Sequence, residues 1–148
     1  NLSAIYRPLN NIFLNKVMEN IRLKYICKNQ IKKGKSGTRE MLNFLKKNYS
    51  VALMIDQRVS EGIKCEFFGK PAFTTTIPAQ LVKKFNCEII PVYIERYDEI
   101  KFKLTVNHPI KFDKDETVEE ITLKLNKNLE KMILQNPSQW ILTHNRWK

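Results

Sequence analysis

Apolar residues recur along the chain at two spacings, and these divide it into elements. Leu2 to Tyr6 predicts a short strand ended by Arg7-Pro8, since proline cannot donate to a ladder and biases Arg7 away from helical backbone. Asn10 or Asn11 then caps a helix in which Phe13, Val17, Ile21 and Tyr25 recur every four residues on one face. Lys16, Glu19, Asn20 and Lys24 fall largely on its other side. Residues 28–37, KNQIKKGKSG, are polar and contain two glycines, which predicts a loop. Thr38 caps the next helix, with Met41, Leu42 and Leu45 toward the core. The run Val51 to Ile55 predicts a buried strand, followed by Asp56-Gln57-Arg58 at the strand end where open α/β folds place their sites.

Residues 59–76 are expected to form a long connection, of a length that is usually functional. Thr76 with Pro78 opens a helix to about Phe85. Cys87 to Glu95 predicts a strand with a bulge or sheet edge at Pro91, and Ile100 to Val106 alternates as a half-exposed strand. Thr117 and Glu120 form a capping box for a long helix to about Gln135, stopped by Asn136-Pro137. Strands alternate with helices, so the expected class is α/β: a mixed, largely parallel sheet flanked by helices, in one domain spanning residues 1–148.

Charge adds a polarity to this picture. The chain carries +11 overall, and residues 1–50 hold eleven basic residues against Glu19 and Glu40. Such a basic first third suits an anionic partner: nucleic acid, phosphorylated lipid, an acidic carrier protein or an anionic membrane surface. The plainer alternative is a solvated lysine-rich face. Cys27, Cys65 and Cys87 are odd in number and unpaired in spacing, which argues against a disulfide framework and a zinc site. No run reaches the roughly 18 apolar residues of a membrane span.

Candidate chemistry rests on arginines. Arg7, Arg58 and Arg96 each follow a predicted strand, and a guanidinium grips phosphate or carboxylate in a bidentate way that lysine cannot. Asp56 is the acid beside them, placed to hold Arg58 or to position a polar substrate group. His108 and Asp113 make an H-x4-D spacing, but Pro109 follows the histidine at once and the match is accidental. Tyr49, Phe67, Phe68 and Phe73 suit a core, and for Phe67-Phe68 in a long loop the alternatives are lining an apolar channel or resting on a membrane. Trp140 suits core packing, and Trp147 beside a basic end suits either packing or an interfacial anchor. Scarce glycine, four in the chain, leaves no phosphate loop and no dinucleotide fingerprint.

Six segments stand in order: IYRPLNN, GTREML, IDQR, EFFGKPAFTTT, IIPVYIER and NPSQWILTHNRWK. Together they resemble the bacterial lipid A biosynthesis acyltransferases, the lauroyl- and myristoyl-transferase family, from Ile5 to Lys148. The resemblance implies a glycerolipid-acyltransferase-like fold, here truncated at its N-terminus. It also implies transfer of an acyl chain from acyl-acyl carrier protein to a hydroxyl of a phosphorylated glycolipid, at the cytoplasmic face of the inner membrane, with no metal or organic cofactor. The family's histidine–acid dyad and its membrane anchor are expected ahead of the YRP element, so no catalytic residue is assigned in this chain, and this piece alone is expected to be inactive. His108 and Asp113 lie too far downstream to replace the dyad.

By the same resemblance, substrate contacts fall on Arg7 of the YRP element, Arg22 on the following helix and Arg39 beside Glu40. Asp56 and Gln57 of the DQ element and Arg96 complete the set. Thr75, Thr76 and Pro91 match family positions as well, and His144, Arg146 and Trp147 match an ending whose role is structural. Two alternatives differ in acceptor or class: an acyltransferase acting on another phospholipid or glycolipid, and a basic nucleic-acid-binding module, for which no recognition motif is present.

Overall fold

The computed structural model describes residues 1–141 and 145–147, and it divides into two compact units, Asn1–Met54 and Ile55–Lys148. In the first unit three strands form one parallel sheet in the order β2-β1-β3: β1 (Leu2–Tyr6), β2 (Asn29–Lys32) and β3 (Ser50–Ala52). Helix α1 (Ile12–Tyr25) connects β1 to β2, and α2 (Lys35–Lys46) returns past β1 to β3.

The register assigns the two helices to opposite faces of the sheet. Tyr6 pairs with Lys32, and both reach Glu19 on α1, Tyr6 through its hydroxyl at 2.6 Å and Lys32 through its ammonium at 3.5 Å. Ile5 pairs with Ile31 on the other face. There α2 comes so close that a Cβ on Gly37 would stand 3.2 Å from the Ile31 side chain and 1.8 Å from the Lys32 carbonyl oxygen. Ile31 and Met41 are fully buried on this side.

The second unit is built from two antiparallel hairpins and two helices. β4 (Ile63–Phe67) and β5 (Lys70–Thr74) form the first hairpin, and β6 (Val92–Tyr97) and β7 (Lys101–Val106) the second. Helix α4 (Val118–Gln135) packs on β4 and on α3 (Ile77–Phe85). One core gathers Phe67, Ala72 and Ile133, with Phe68, Leu129, Trp140 and Trp147 against it. Another gathers Ala79, Ile121 and Leu125. Trp147 donates its indole N–H to the Phe67 carbonyl at 3.0 Å, so both tryptophans belong to packing.

Several expectations hold. Asn11 caps α1 by accepting from the Phe13 and Leu14 amides. The Thr117–Glu120 capping box opens α4, and α3 starts with proline in its first turn. Others are corrected. The loop expected over 28–37 contains β2 and the start of α2, whose N-cap is Gly34 rather than Thr38. Only Ile31 of β2 is apolar and buried, so the strand carries no alternating signal. The connection expected over 59–76 is largely the β4–β5 hairpin, closed by Phe68 and Gly69 at φ 50° and 72°. Two positive-φ residues make the twist-compatible two-residue turn that usually shows itself as Asn-Gly, so Phe-Gly hid it. The buried strand expected over Val51–Ile55 is a three-residue edge strand, with Met54 exposed. A single largely parallel sheet gives way to one parallel sheet and two antiparallel hairpins.

Candidate functional site

In open α/β sheets a ligand crevice forms at the carboxyl ends of the strands where the strand order reverses. Here the chain steps from β1 to β2 and then back across to β3, so that point lies at the ends of β1 and β3. Arg7 follows the last residue of β1 and is exposed. Arg22, three quarters of the way along α1, lays its guanidinium over the Tyr6 ring at 4.8 Å. Arg22 is therefore in contact with Tyr6, and Arg7 is the next residue after Tyr6 in the chain.

A chain of polar contacts fixes this corner. The Tyr6 hydroxyl donates to Glu19 Oε1 at 2.6 Å, and the Asn15 amide donates to the same oxygen at 2.9 Å. Asn15 Oδ1 in turn accepts from the Leu9 amide at 2.9 Å, which ties down the turn after Arg7-Pro8. Burial, with the hydrogen bond to Glu19 second, pushes the Tyr6 phenol up to about 12. The Tyr6 hydroxyl, then Asn15 and Lys32, hold the Glu19 carboxylate below its ordinary range. Glu19 is thus an anion already engaged by three partners. Arg22 Nη1 is buried and makes no hydrogen bond among the described residues, so one donor there is uncommitted.

Of the other expected contacts in this unit, Arg39 is exposed on α2 and has no ion pair among the described residues. Its neighbour Glu40 is close enough to act on Tyr6 as a further negative charge.

In the second unit the expected residues are dispersed. Asp56 is partly buried, its carbonyl accepting from Arg146 Nη1 at 2.8 Å while its Oδ1 is buried without a partner among the described residues. Gln57 is exposed. Arg58 lies over the Phe73 ring at 5.4 Å rather than on Asp56. Arg96 stands over Phe102 at 5.2 Å, and its backbone exchanges two hydrogen bonds with the Gln139 amide. His108 is exposed, and no hydrogen bond joins it to Asp113 among the described residues. His144 lies outside the described residues.

Arg146 is the most enclosed charge among the described residues, only 1% exposed. It donates to the Asp56 carbonyl, to Thr74 Oγ1 at 3.3 Å and to Asn126 Oδ1 at 2.9 Å, with its guanidinium 3.9 Å from the Phe67 ring centre. Burial lowers its pKa from the usual guanidinium value, and Asp56 opposes that. Sequence reasoning gave Arg146 a structural role and missed Thr74 and Asn126, since no spacing links positions 74, 126 and 146. It also placed Glu19 on the outer side of α1. The available signal was Asn15, Glu19 and Arg22 at helical spacing, a polar stripe able to face a strand bearing Tyr6.

Among the described residues no group of three or more His, Cys, Asp or Glu is placed to hold a metal. Comparison with curated proteins returns no match. The model of the family described as bacterial lipid A biosynthesis acyltransferase matches residues 1–148, the whole chain. The chain belongs to the bacterial lipid A biosynthesis acyltransferases.

Proposed function

We propose that this chain supplies acceptor recognition for the transfer of a fatty acyl group from acyl-acyl carrier protein to a hydroxyl of a phosphorylated lipid A precursor, at the cytoplasmic face of the inner membrane. In that reaction the acceptor hydroxyl attacks the thioester carbonyl, an ester forms, and the carrier thiol leaves with the hydroxyl proton returned to it. The thioester is already activated, so the binding residues need only hold the acceptor in place. The observation that carries this reading is the corner at the end of β1. Arg22 lies on Tyr6 there and the exposed Arg7 follows it in the chain, while Glu19 is engaged by Tyr6, Asn15 and Lys32 rather than by either arginine. Asp56 and Gln57, just past β3, and Arg39 and Arg96 are the further proposed contacts.

The test compares detergent-solubilised ligands on the 148-residue chain by titration calorimetry. The expected result is saturable binding of a bis-phosphorylated, acylated glucosamine disaccharide, with at least about tenfold weaker binding of its dephosphorylated form, as expected for losing one charge-assisted phosphate contact. Preference for lysophosphatidic acid would move the function to another lipid acceptor. Tighter binding of random duplex DNA than of either lipid would move it out of the enzyme class.

A further inference from the structure

Helix α1 turns its polar side to the sheet and its apolar side outward. Asn15, Glu19 and Arg22 face β1, and no residue of the helix is buried. Phe13, Val17 and Ile21, which as a repeating apolar stripe would ordinarily pack on a core, lie on the opposite side. Phe13 is 87% exposed, Ile12 82% and Tyr25 70%, with Leu14 and Val17 also more than half exposed. An apolar strip along about 21 Å of helix is a surface that soluble proteins normally cover.

Charge decides what covers it. The only acid on α1 is Glu19, and its carboxylate is engaged by Tyr6, Asn15 and Lys32, whereas Lys16 and Lys24 form no ion pair among the described residues. Lys28 follows just past its end, and residues 1–54 hold eleven basic residues against two acidic ones. Aromatic and aliphatic residues on one side, with Lys16 beside them and Lys24 on the same face in the last turn, its long stem able to carry the ammonium to the phosphates, suit a helix that lies in the headgroup region of an anionic bilayer.

We propose that α1 is an interfacial helix that docks this unit on an anionic lipid surface through Phe13, Val17 and Ile21, with Lys16 and Lys24 at the phosphates. The inference deepens the proposed function, resting on it for the identity of the surface. A helix seated this way sets the carboxyl end of β1, with Arg7, beside the membrane that holds a lipid acceptor.

Flotation of the 148-residue chain with vesicles tests it, using phosphatidylglycerol–phosphatidylethanolamine against phosphatidylcholine, neither containing a lipid A precursor. The chain should float with the anionic vesicles, and Phe13→Glu with Val17→Glu should lower the partition coefficient at least about tenfold. Ile100→Glu with Ile141→Glu makes the same charge change at exposed positions of the other unit and should leave flotation unchanged. Phe13→Trp keeps the face apolar, and brominated lipid should quench the emission that this substitution adds. Failure of the parent chain to float, equal loss in both glutamate pairs, or added Phe13→Trp emission that brominated lipid leaves unquenched would overturn the docking assignment while leaving acceptor binding in detergent intact. A dimer, or a complex with acyl-acyl carrier protein, that is broken by Phe13→Glu and Val17→Glu while flotation persists would also overturn it.

Discussion

Arg146 and Glu19 show two ways in which a charge is held in this chain. Arg146 is enclosed by neutral acceptors on three segments, so its removal strands the Asn126 and Asp56 oxygens it serves as well as deleting its own bonds. Arg146→Met is expected to destabilise the chain by about 3 kcal/mol in urea denaturation. An unchanged midpoint would mean that the network adds nothing to folding. Glu19 sits at a wetter site, and its signature is in pH. Its carboxylate is held below the ordinary value of 4.5, first by the Tyr6 hydroxyl. A depressed folded-state value adds stability above the unfolded value, and that stability is lost as pH falls through the folded one. Glu19→Gln should therefore lower the urea midpoint at pH 7, and the gap to the parent should close as pH drops below about 4.5. A gap independent of pH would contradict the Tyr6–Glu19 assignment.

Elements pack through backbone as much as through side chains. A Cβ on Gly37 would fall on the Lys32 carbonyl oxygen, and one on Gly62 would stand 2.2 Å from the Thr74 carbonyl oxygen. Neither neighbour is a flexible side-chain end, so Gly37→Ala and Gly62→Ala are each expected to cost about 1–3 kcal/mol in denaturant midpoint. Gly69→Ala meets no neighbour within 4 Å and carries only the strain of its positive φ, so it should cost less. These glycines bear on what the sequence could reveal. The ends of α3 and α4 were legible because caps and prolines are local signals, as were β1 and β7. β2 was not, because its stability lies in pairing with β1 and in the approach of α2 rather than in its own residues. For α1 the extent was legible and the orientation was not. Four apolar residues in register imply a buried face, yet the sheet presents Tyr6 and Lys32 to this helix and draws the polar stripe inward.

At the scale of the whole chain, family membership was legible from six ordered segments, and the family model covers residues 1–148. The candidate site was legible only in part. Arg22 lies on Tyr6, the residue before Arg7, whereas Arg58 and Arg96 rest on phenylalanine rings, because strand ends predict position along the sheet and not the direction of a long side chain. The net +9 of residues 1–54 predicts acceptor binding that weakens steadily as salt rises from low ionic strength to about 0.5 M, measurable as a falling association constant. The arginine corner itself is tested most directly by the affinity of Arg7→Lys for the bis-phosphorylated disaccharide in detergent. Lysine keeps the charge but not the planar fork, so affinity should fall about tenfold with the far-UV circular dichroism unchanged. Affinity equal to that of the parent chain would contradict a phosphate held by Arg7.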